Sequence, residues 1–156
     1  MITQRKFELD CVPRGQGRPR WGNGRMYKAG IDVEWEGAIR EAYKAAHPDA
    51  PRYEHQAAVL VECYVPIPKS DSKVKRADKL SGVTPCTVKP DIDNVVKSVL
   101  DALNGVAWED DKQINSIWAA KIYSDRPRLV VTLRGKEEDA HENVHTQDGG
   151  SCLCHD

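Results

Sequence analysis

The sequence predicts an α/β (α+β) fold, a small mixed β-sheet of about four strands with two helices, in the order β-α-β-α-β-β. Four short segments alternate polar and apolar residues or form apolar runs of strand length, and two longer segments repeat apolar residues at helical spacing. Clusters of proline and glycine separate these segments. The predicted strands are 5–12, 56–65, 113–123 and 128–134, and the predicted helices are 31–46 and 90–103.

The first predicted helix carries its apolar residues on one face, and Asp32 is expected to cap its amino end. Pro48 and Pro51 end it, because proline cannot continue a helix. Residues 13–25 contain too much Gly, Pro and Arg to predict regular structure.

Pro90 marks the start of the second predicted helix, because proline favours the first helical turn. Asn104 and Gly105 are expected to end this helix with a left-handed cap. Residues 69–89, which precede it, are predicted to form a polar loop rich in lysine. Residues 125–127 are predicted to make the turn between the last two strands.

Length and charge favour one domain over residues 1–134, followed by an acidic tail over residues 135–156. The net charge of −1 combines −5 in the tail with +4 in the remainder. The tail has almost no apolar content and is expected to be disordered. The mildly basic body suits a polyanionic partner.

No apolar run reaches the roughly 18 residues of a membrane span, and the amino terminus has no apolar core of a secretory signal. The five cysteines are odd in number and scattered, which favours reduced thiols over a disulfide framework. These features predict a cytoplasmic protein without a membrane partner.

The segment richest in chemistry begins with Asp91 and Asp93, continues with Lys97 and Asp101, and ends in the acidic pair 110–111. Carboxylates at this density repel one another and resist burial, so a hard divalent cation is the usual agent that holds them together. Asp93, Lys97 and Asp101 stand at i, i+4 and i+8 and form one polar stripe on the predicted helix. We therefore expect one or two Mg²⁺ ions at these acids, gathered in one pocket beside the helix.

This set of groups suits metal-dependent hydrolysis of a phosphodiester. Mg²⁺ would hold the phosphate and activate water, and Lys97 would offset the negative charge that develops on phosphorus. The structural alternative is that Asp91 and Asp93 cap the helix while Lys97 forms ion pairs along it.

Two basic segments, 13–28 and 69–89, suit the phosphate backbone of DNA, and Trp21 and Tyr27 of the first are available for stacking. The alternative for both is a solvated loop without a ligand. The candidate DNA-binding residues are Arg14, Arg18, Arg20, Arg25, Lys73, Lys75, Arg76 and Lys89.

The other tryptophans are interpreted mainly as core residues. Trp35 is expected to pack from the first helix, and Trp118 lies within an alternating strand. Trp108 is flanked by valine and alanine, which favours the core over the alternative of a wedge against a DNA base.

Residues 90–114 resemble the signature of the RusA family of Holliday junction resolvases. The family pattern runs Pro/Arg-Asp-(apolar)-Asp-Asn-(apolar)-x-Lys, then Asp-Ala-Leu, then Asp-Asp-x-Gln-(apolar). The chain matches each landmark from Pro90 to Ile114. The segment 18–20 and the basic loop before the signature also resemble the family, so the likeness extends over residues 5–134.

This resemblance implies a Mg²⁺-dependent endonuclease that acts as a homodimer. It would cut paired strands of four-way junction DNA symmetrically, in recombination and repair. By position, the family's metal-binding acids map onto Asp91, Asp93 and Asp111, and its catalytic lysine maps onto Lys97. Asp110 matches the other acid of the pair and is expected to support the metal site. No organic cofactor is implied, and Mn²⁺ stays open as a substitute.

Two other functions are weighed against this one. A junction-binding protein that does not cut is disfavoured, because acids that repel phosphate serve no purpose in a protein that only binds it. A Mg²⁺-dependent nucleotide pyrophosphatase also gathers acids, but usually as Glu-x-x-Glu on helices, which this sequence lacks.

Overall fold

A computed structural model describes residues 1–137 of the chain. A 3₁₀ turn, Asp111–Gln113, immediately precedes the fifth strand. The helices are α1 (Gly30–Ala46), α2 (Lys73–Leu80) and α3 (Ile92–Leu103). The strands are β1 (Ile2–Leu9), β2 (Arg20–Gly22), β3 (Arg25–Tyr27), β4 (Ala57–Pro66), β5 (Ile114–Ser124) and β6 (Arg128–Lys136).

Four of the strands form one mixed sheet in the order β1-β6-β4-β5, which confirms the predicted fold class. β6 runs antiparallel to both β1 and β4, whereas β4 and β5 are parallel. Parallel neighbours require a crossover connection, and here that connection contains α2 and α3. α3 therefore runs back along the sheet from the carboxyl end of β4 toward the amino end of β5.

α1 and α3 pack against each other and cover one face of this sheet, as predicted. β4 alternates buried and half-buried residues along its length, so one of its faces supplies the centre of the core. Ile39, Val61, Val99 and Leu133 are completely buried there. Trp35 packs into the same core from α1, which confirms its prediction.

The prediction that Trp118 belongs to the core is wrong. Trp118 lies in the edge strand β5, opposite Leu60 of β4, on the sheet face that α1 and α3 leave open. Its side chain is 56% exposed. Alternation along the sequence identifies two faces of a strand, but it does not identify the face that helices cover.

The segment 69–89 is not only a loop, because it contains α2. Ser72 caps this helix by accepting a hydrogen bond from the backbone N–H of Lys75 at 3.3 Å. Lys79 pairs at 2.5 Å with Asp71, which lies just before the helix, and its Nζ lies 4.8 Å from the ring centre of Tyr123 in β5, which connects α2 to the sheet. α2 buries none of its residues, so it offers no apolar periodicity for a prediction to use.

Asp32 does not cap α1, contrary to prediction. The helix begins at Gly30 with Ala29 as its N-cap residue, so Asp32 lies within the first turn. Asp32 is buried there, and its Oδ1 accepts a hydrogen bond from the backbone N–H of Gly17 at 3.2 Å. It therefore anchors the preceding segment. At the end of α3, Gly105 adopts the expected left-handed conformation, with φ of +73°.

The carboxyl-terminal strand extends beyond the predicted boundary at residue 134. β6 continues to Lys136, and Glu137 accepts a hydrogen bond from Thr3 Oγ1 at 2.7 Å and forms an ion pair with Arg5. The first residues of the predicted tail thus belong to the sheet. The remaining part, residues 138–156, lies outside the described residues, so its predicted disorder stays a prediction.

The cysteines of the described chain, Cys11, Cys63 and Cys86, are free thiols. Burial raises the pKa of Cys63 to about 12, which keeps this thiol protonated. Within residues 1–137, every helix is too short or too polar to cross a bilayer.

Candidate active site

Asp91, Asp93 and Lys97 project from the first two turns of α3 as exposed side chains. Asp91 is the N-cap residue, but its carboxylate makes no capping hydrogen bond. None of the three forms an ion pair within residues 1–137. The structural alternative of a capping Asp91 and an ion-paired Lys97 therefore does not describe this site.

A groove of about 550 Å³ adjoins Asp91. Its volume lies within the range of small-molecule sites and can admit a nucleotide unit. Arg14 and Lys89 place two positive charges on its walls, next to valine and proline side chains. The lining comes from the segment 12–16, from the carboxyl end of β4 (Val65 and Pro66), and from Val88 to Asp91 together with Asn94.

The segment that carries the arginines contains a short β-hairpin, although no regular structure was predicted there. β2 and β3 pair antiparallel, and Asn23 and Gly24 form the connecting turn with φ of 49° and 73°. Positive φ at both central residues is the signature of a type I′ turn, for which Asn-Gly is the preferred sequence. We call residues 20–27 the hairpin arm.

A cluster of charged hydrogen bonds holds the base of the hairpin arm against α1 and α3. Lys28 donates to Asp101 at 2.7 Å and to Glu36 at 2.8 Å. Gln16, on the other side of the arm, donates to the same two carboxylates at 2.8 Å and 3.1 Å. Asp101 shares its helix face with Lys97, so this clamp joins the arm to the stripe that carries the candidate catalytic groups.

The clamp formed by Gln16, Lys28, Glu36 and Asp101 affects the pKa of Asp101. Burial alone raises the pKa of Asp101, but hydrogen bonds from Lys28 and Gln16 and the charges of Lys28 and Lys97 outweigh burial and lower this pKa below its ordinary value. The two other acids near the arm, Asp32 and Glu36, are buried, and each accepts a hydrogen bond from it or from its flanking segments.

Asp110 and Asp111 lie in the 3₁₀ turn before β5. The carboxylate of Asp110 caps this turn by accepting from the backbone N–H of Lys112 at 2.9 Å, so it is already committed to local structure. Gln113 accepts from the N–H of Asp110 at 3.0 Å and donates to the carbonyls of Tyr53 and His55 at 2.9 and 2.8 Å. Gln113 thereby fastens the acidic turn to the segment before β4.

Trp108 is a core residue, as favoured from the sequence, and it also orients Asp111. The tryptophan is completely buried, and its indole Nε1–H donates to Asp111 Oδ1 at 2.8 Å. Oδ2 of Asp111 has no hydrogen-bond partner in residues 1–137. The sequence did not reveal four positioning residues: Gln16, Lys28, Trp108 and Gln113. Of these, only Gln113 belongs to the family pattern, as the glutamine of Asp-Asp-x-Gln.

The structure does not bring Asp111 together with Asp91 and Asp93 within one chain. Asp91 lies at the carboxyl end of β4, whereas Asp111 precedes β5, whose first residue, Ile114, pairs with the first residue of β4, Ala57. The 12 residues of α3 separate the two places by a helix about 18 Å long. Residues 1–137 contain no group of three acidic, histidine or cysteine side chains arranged to hold a metal. The expectation that these acids gather in one pocket beside the helix is therefore wrong for the described chain.

The remaining DNA-binding candidates lie on or next to the hairpin arm, or on α2. Arg18, Arg20 and Arg25 are exposed on or next to the hairpin arm. Lys73 and Lys75 are exposed on α2, without an ion pair in the described residues. Arg76 is different, because it pairs with Asp125.

Breaking the clamp should loosen the hairpin arm. Asp101→Asn removes a carboxylate that accepts from both sides of the arm, and we expect tryptic cleavage within the arm to become about two- to fivefold faster, since partly exposed ion pairs contribute about 0.2–1 kcal/mol. Because the folded pKa of Asp101 is lowered, its stabilisation is complete above the ordinary pKa of 3.8 and is lost as pH falls through the folded value. Limited trypsinolysis at neutral pH measures the first effect, and acid unfolding measures the second.

Glu41→Gln is the matched control for this substitution. Glu41 also lies on a helix and pairs with a lysine, Lys44, at 3.8 Å, but it does not touch the arm. Equal cleavage rates for Asp101→Asn and Glu41→Gln would show that the clamp does not hold the arm.

Comparison with known proteins gives the family. Residues 10–134 match the family described as Endodeoxyribonuclease RusA. The uncharacterized protein YqaN of Bacillus subtilis (strain 168) is 36% identical over 135 residues, which cover 83% of this chain and 94% of that protein. The family match contains both acidic places, the hairpin arm, β4, β5 and all of β6 except its last two residues, whereas β1 lies before it. The chain therefore belongs to the RusA family of endodeoxyribonucleases.

Proposed function

We propose that this protein is a Mg²⁺-dependent, structure-selective endonuclease that resolves four-way junction DNA by paired symmetrical nicks. It would act in the cytoplasm as a homodimer, in recombination and repair. The observation that carries the proposal is Asp91, an N-cap carboxylate that forms no cap and faces a basic groove in a chain of an endodeoxyribonuclease family. Asp93 and Lys97 lie beside it, and their side chains are also exposed and form no ion pair within residues 1–137.

The chemistry of the acids fits magnesium. Mg²⁺ prefers carboxylate oxygens and usually binds through one or two carboxylates together with water and substrate phosphates. Asp91 and Asp93 supply two exposed carboxylates on one helical turn, and Asp111 supplies a third whose second oxygen is unpartnered in residues 1–137. Asp110 supports the site through the turn that it caps, because its carboxylate is engaged there.

Two copies of the chain can complete the divided site. β5 is an edge strand, and Ile117, Trp118 and Ile122 on it are 46%, 56% and 38% exposed. If two β5 strands pair antiparallel about a two-fold axis, the amino end of each lies beside the carboxyl end of the other. Asp111 of one copy would then approach Asp91 of its partner, and the dimer would contain two equivalent sites for two equivalent strands.

Each residue then has a physical role in strand cleavage. Bound magnesium would supply an activated water and neutralise phosphate charge. Lys97 holds a fixed positive charge next to Asp93 for the negative charge that develops on phosphorus. Arg14 and Lys89 hold the DNA backbone in the groove beside Asp91. Trp108 keeps the carboxylate of Asp111 in one orientation.

The shared site can be tested by mixing two inactive variants. Asp91→Asn and Asp111→Asn should each abolish Mg²⁺-dependent cleavage of a labelled four-way junction while junction binding persists. In a mixed dimer, prepared by co-expression, one site carries both substitutions and the other carries neither. The mixture should therefore regain cleavage, mainly as single nicks, and EDTA should stop it.

Asp49→Asn is the control, because Asp49 is exposed in the turn after α1 and belongs to neither acidic place, and this variant should keep full activity. A mixture as inactive as its components would mean that each chain builds its own site. Cleavage that survives in either single variant, or in EDTA, would contradict the metal site itself.

The interface through β5 gives a second expectation. Trp118→Glu places a charge on the exposed edge strand and should convert the dimer to a monomer in sedimentation experiments, with loss of junction cleavage. The monomer should stay folded, because Trp118 is 56% exposed in the single chain. Val74→Glu, at a 72% exposed position on α2, should stay dimeric. A dimeric Trp118→Glu protein would place the interface elsewhere.

The role of Trp108 is accessible to kinetics. Trp108→Phe keeps an aromatic ring in the core but removes the hydrogen bond to Asp111, and we expect the Mg²⁺ concentration for half-maximal cleavage to rise about tenfold. Trp35→Phe is the matched control, because Trp35 is also buried but its indole N–H has no partner within residues 1–137. Equal shifts in both variants would mean that Trp108 acts only through packing.

A further inference from the structure

The hairpin arm has two chemically different faces. Arg20 pairs with Tyr27 across the two strands, and Trp21 pairs with Met26. Because side chains alternate between the faces of a strand, Trp21 and Met26 share one face, and the arginines and the tyrosine share the other. The arm is therefore a ribbon with one apolar face and one basic face.

The apolar face is uncovered. Trp21 is 72% exposed and Met26 is 63% exposed, so most of the surface of the arm's largest side chain is in contact with solvent. Tyr27 behaves differently, because its ring lies against the backbone of Gly22. A Cβ atom at Gly22 would come within 2.8 Å of this ring. Tyr27 therefore packs onto the arm, whereas Trp21 remains mostly exposed to solvent.

The position of the arm connects Trp21 to the proposed cleavage site. Gln16 and Lys28 fix the base of the arm to Asp101, on the helix face that also carries Asp93 and Lys97. A second contact, from the N–H of Gln16 to the carbonyl of Asn94 at 3.1 Å, ties the same base to the first turn of α3. These contacts join the base of the arm to the helix that carries the proposed catalytic groups.

We propose that Trp21, supported by Met26, stacks on unstacked bases at the branch point of junction DNA, while Arg20 and Arg25 hold the flanking phosphates. This inference rests on the proposed function. In a continuous duplex each base face is covered by its neighbour, whereas a branch point opens base faces to an aromatic side chain. The arginines on the opposite face favour DNA over a second copy of the chain, because two basic arms would repel each other.

Trp21→Ala tests the stacking role through binding in EDTA, where cleavage does not occur. Its affinity for a four-way junction should fall about tenfold, because stacking on one base contributes about 1–3 kcal/mol, whereas its affinity for linear duplex should not change. 2-Aminopurine placed at the branch point should change its fluorescence with the wild-type protein and much less with the variant. Trp21→Phe, which keeps a ring, should recover part of both signals.

Two further variants separate stacking from other effects. Val74→Ala removes an apolar side chain that is equally exposed, at 72%, and should bind both DNAs as the wild type does. Arg25→Gln should weaken binding to junction and duplex alike and lower the dependence on salt, as expected of a phosphate contact. A Trp21→Ala variant that loses affinity for junction and duplex equally, or that loses its dimeric state, would overturn the proposal.

The remaining outcomes distinguish this inference from the proposed function. A wild-type protein that fails to bind junction DNA overturns both. A wild-type protein that binds and cleaves junctions, together with a Trp21→Ala variant that does so equally well, overturns the stacking role alone.

Discussion

The parallel pairing of β4 with β5 is the constraint on which the arrangement of the site depends. Parallel neighbours need a crossover, and the buried apolar residues of α3 pack that part of the crossover into the core beside the sheet. Asp91 and Asp111 stand at opposite ends of this helix for the same reason. Their separation is a consequence of topology, so no rotation of side chains within one chain can remove it.

Much of the fold could be predicted, because an element with one buried face repeats its apolar residues at the period of a helix or a strand. α1, α3 and the four sheet strands begin and end within a few residues of their predicted bounds. α2 was missed because it buries nothing, and Trp118 was misplaced because a period of two does not tell an edge strand from a central one. Apolar patterning predicts which elements exist, but it does not predict which neighbours they have.

The candidate site, like the fold, could be predicted only in part. The identities of Asp91, Asp93, Lys97 and Asp111 follow from local spacing and from the family signature. Their distances do not, because twenty residues of sequence include a helix whose direction only the sheet determines. The positioning contacts were also beyond prediction, since Lys28 reaches Asp101 across 73 positions of the chain. Polar contacts of this kind produce no periodic pattern in the amino-acid sequence.

Two groups of acids near α3 have different physical roles. Asp32, Glu36, Asp101 and Asp110 accept hydrogen bonds that hold the arm and the 3₁₀ turn in place. The acids at the start of α3 accept none and remain in solvent, where their charge is hydrated. A chain that gathered all of its uncommitted acids in one pocket would have to fold against their mutual repulsion. In the proposed dimer, dividing these acids between the ends of α3 would delay that repulsion until assembly, when a cation and a second copy are both present to offset it. Metal binding would then be coupled to dimerisation.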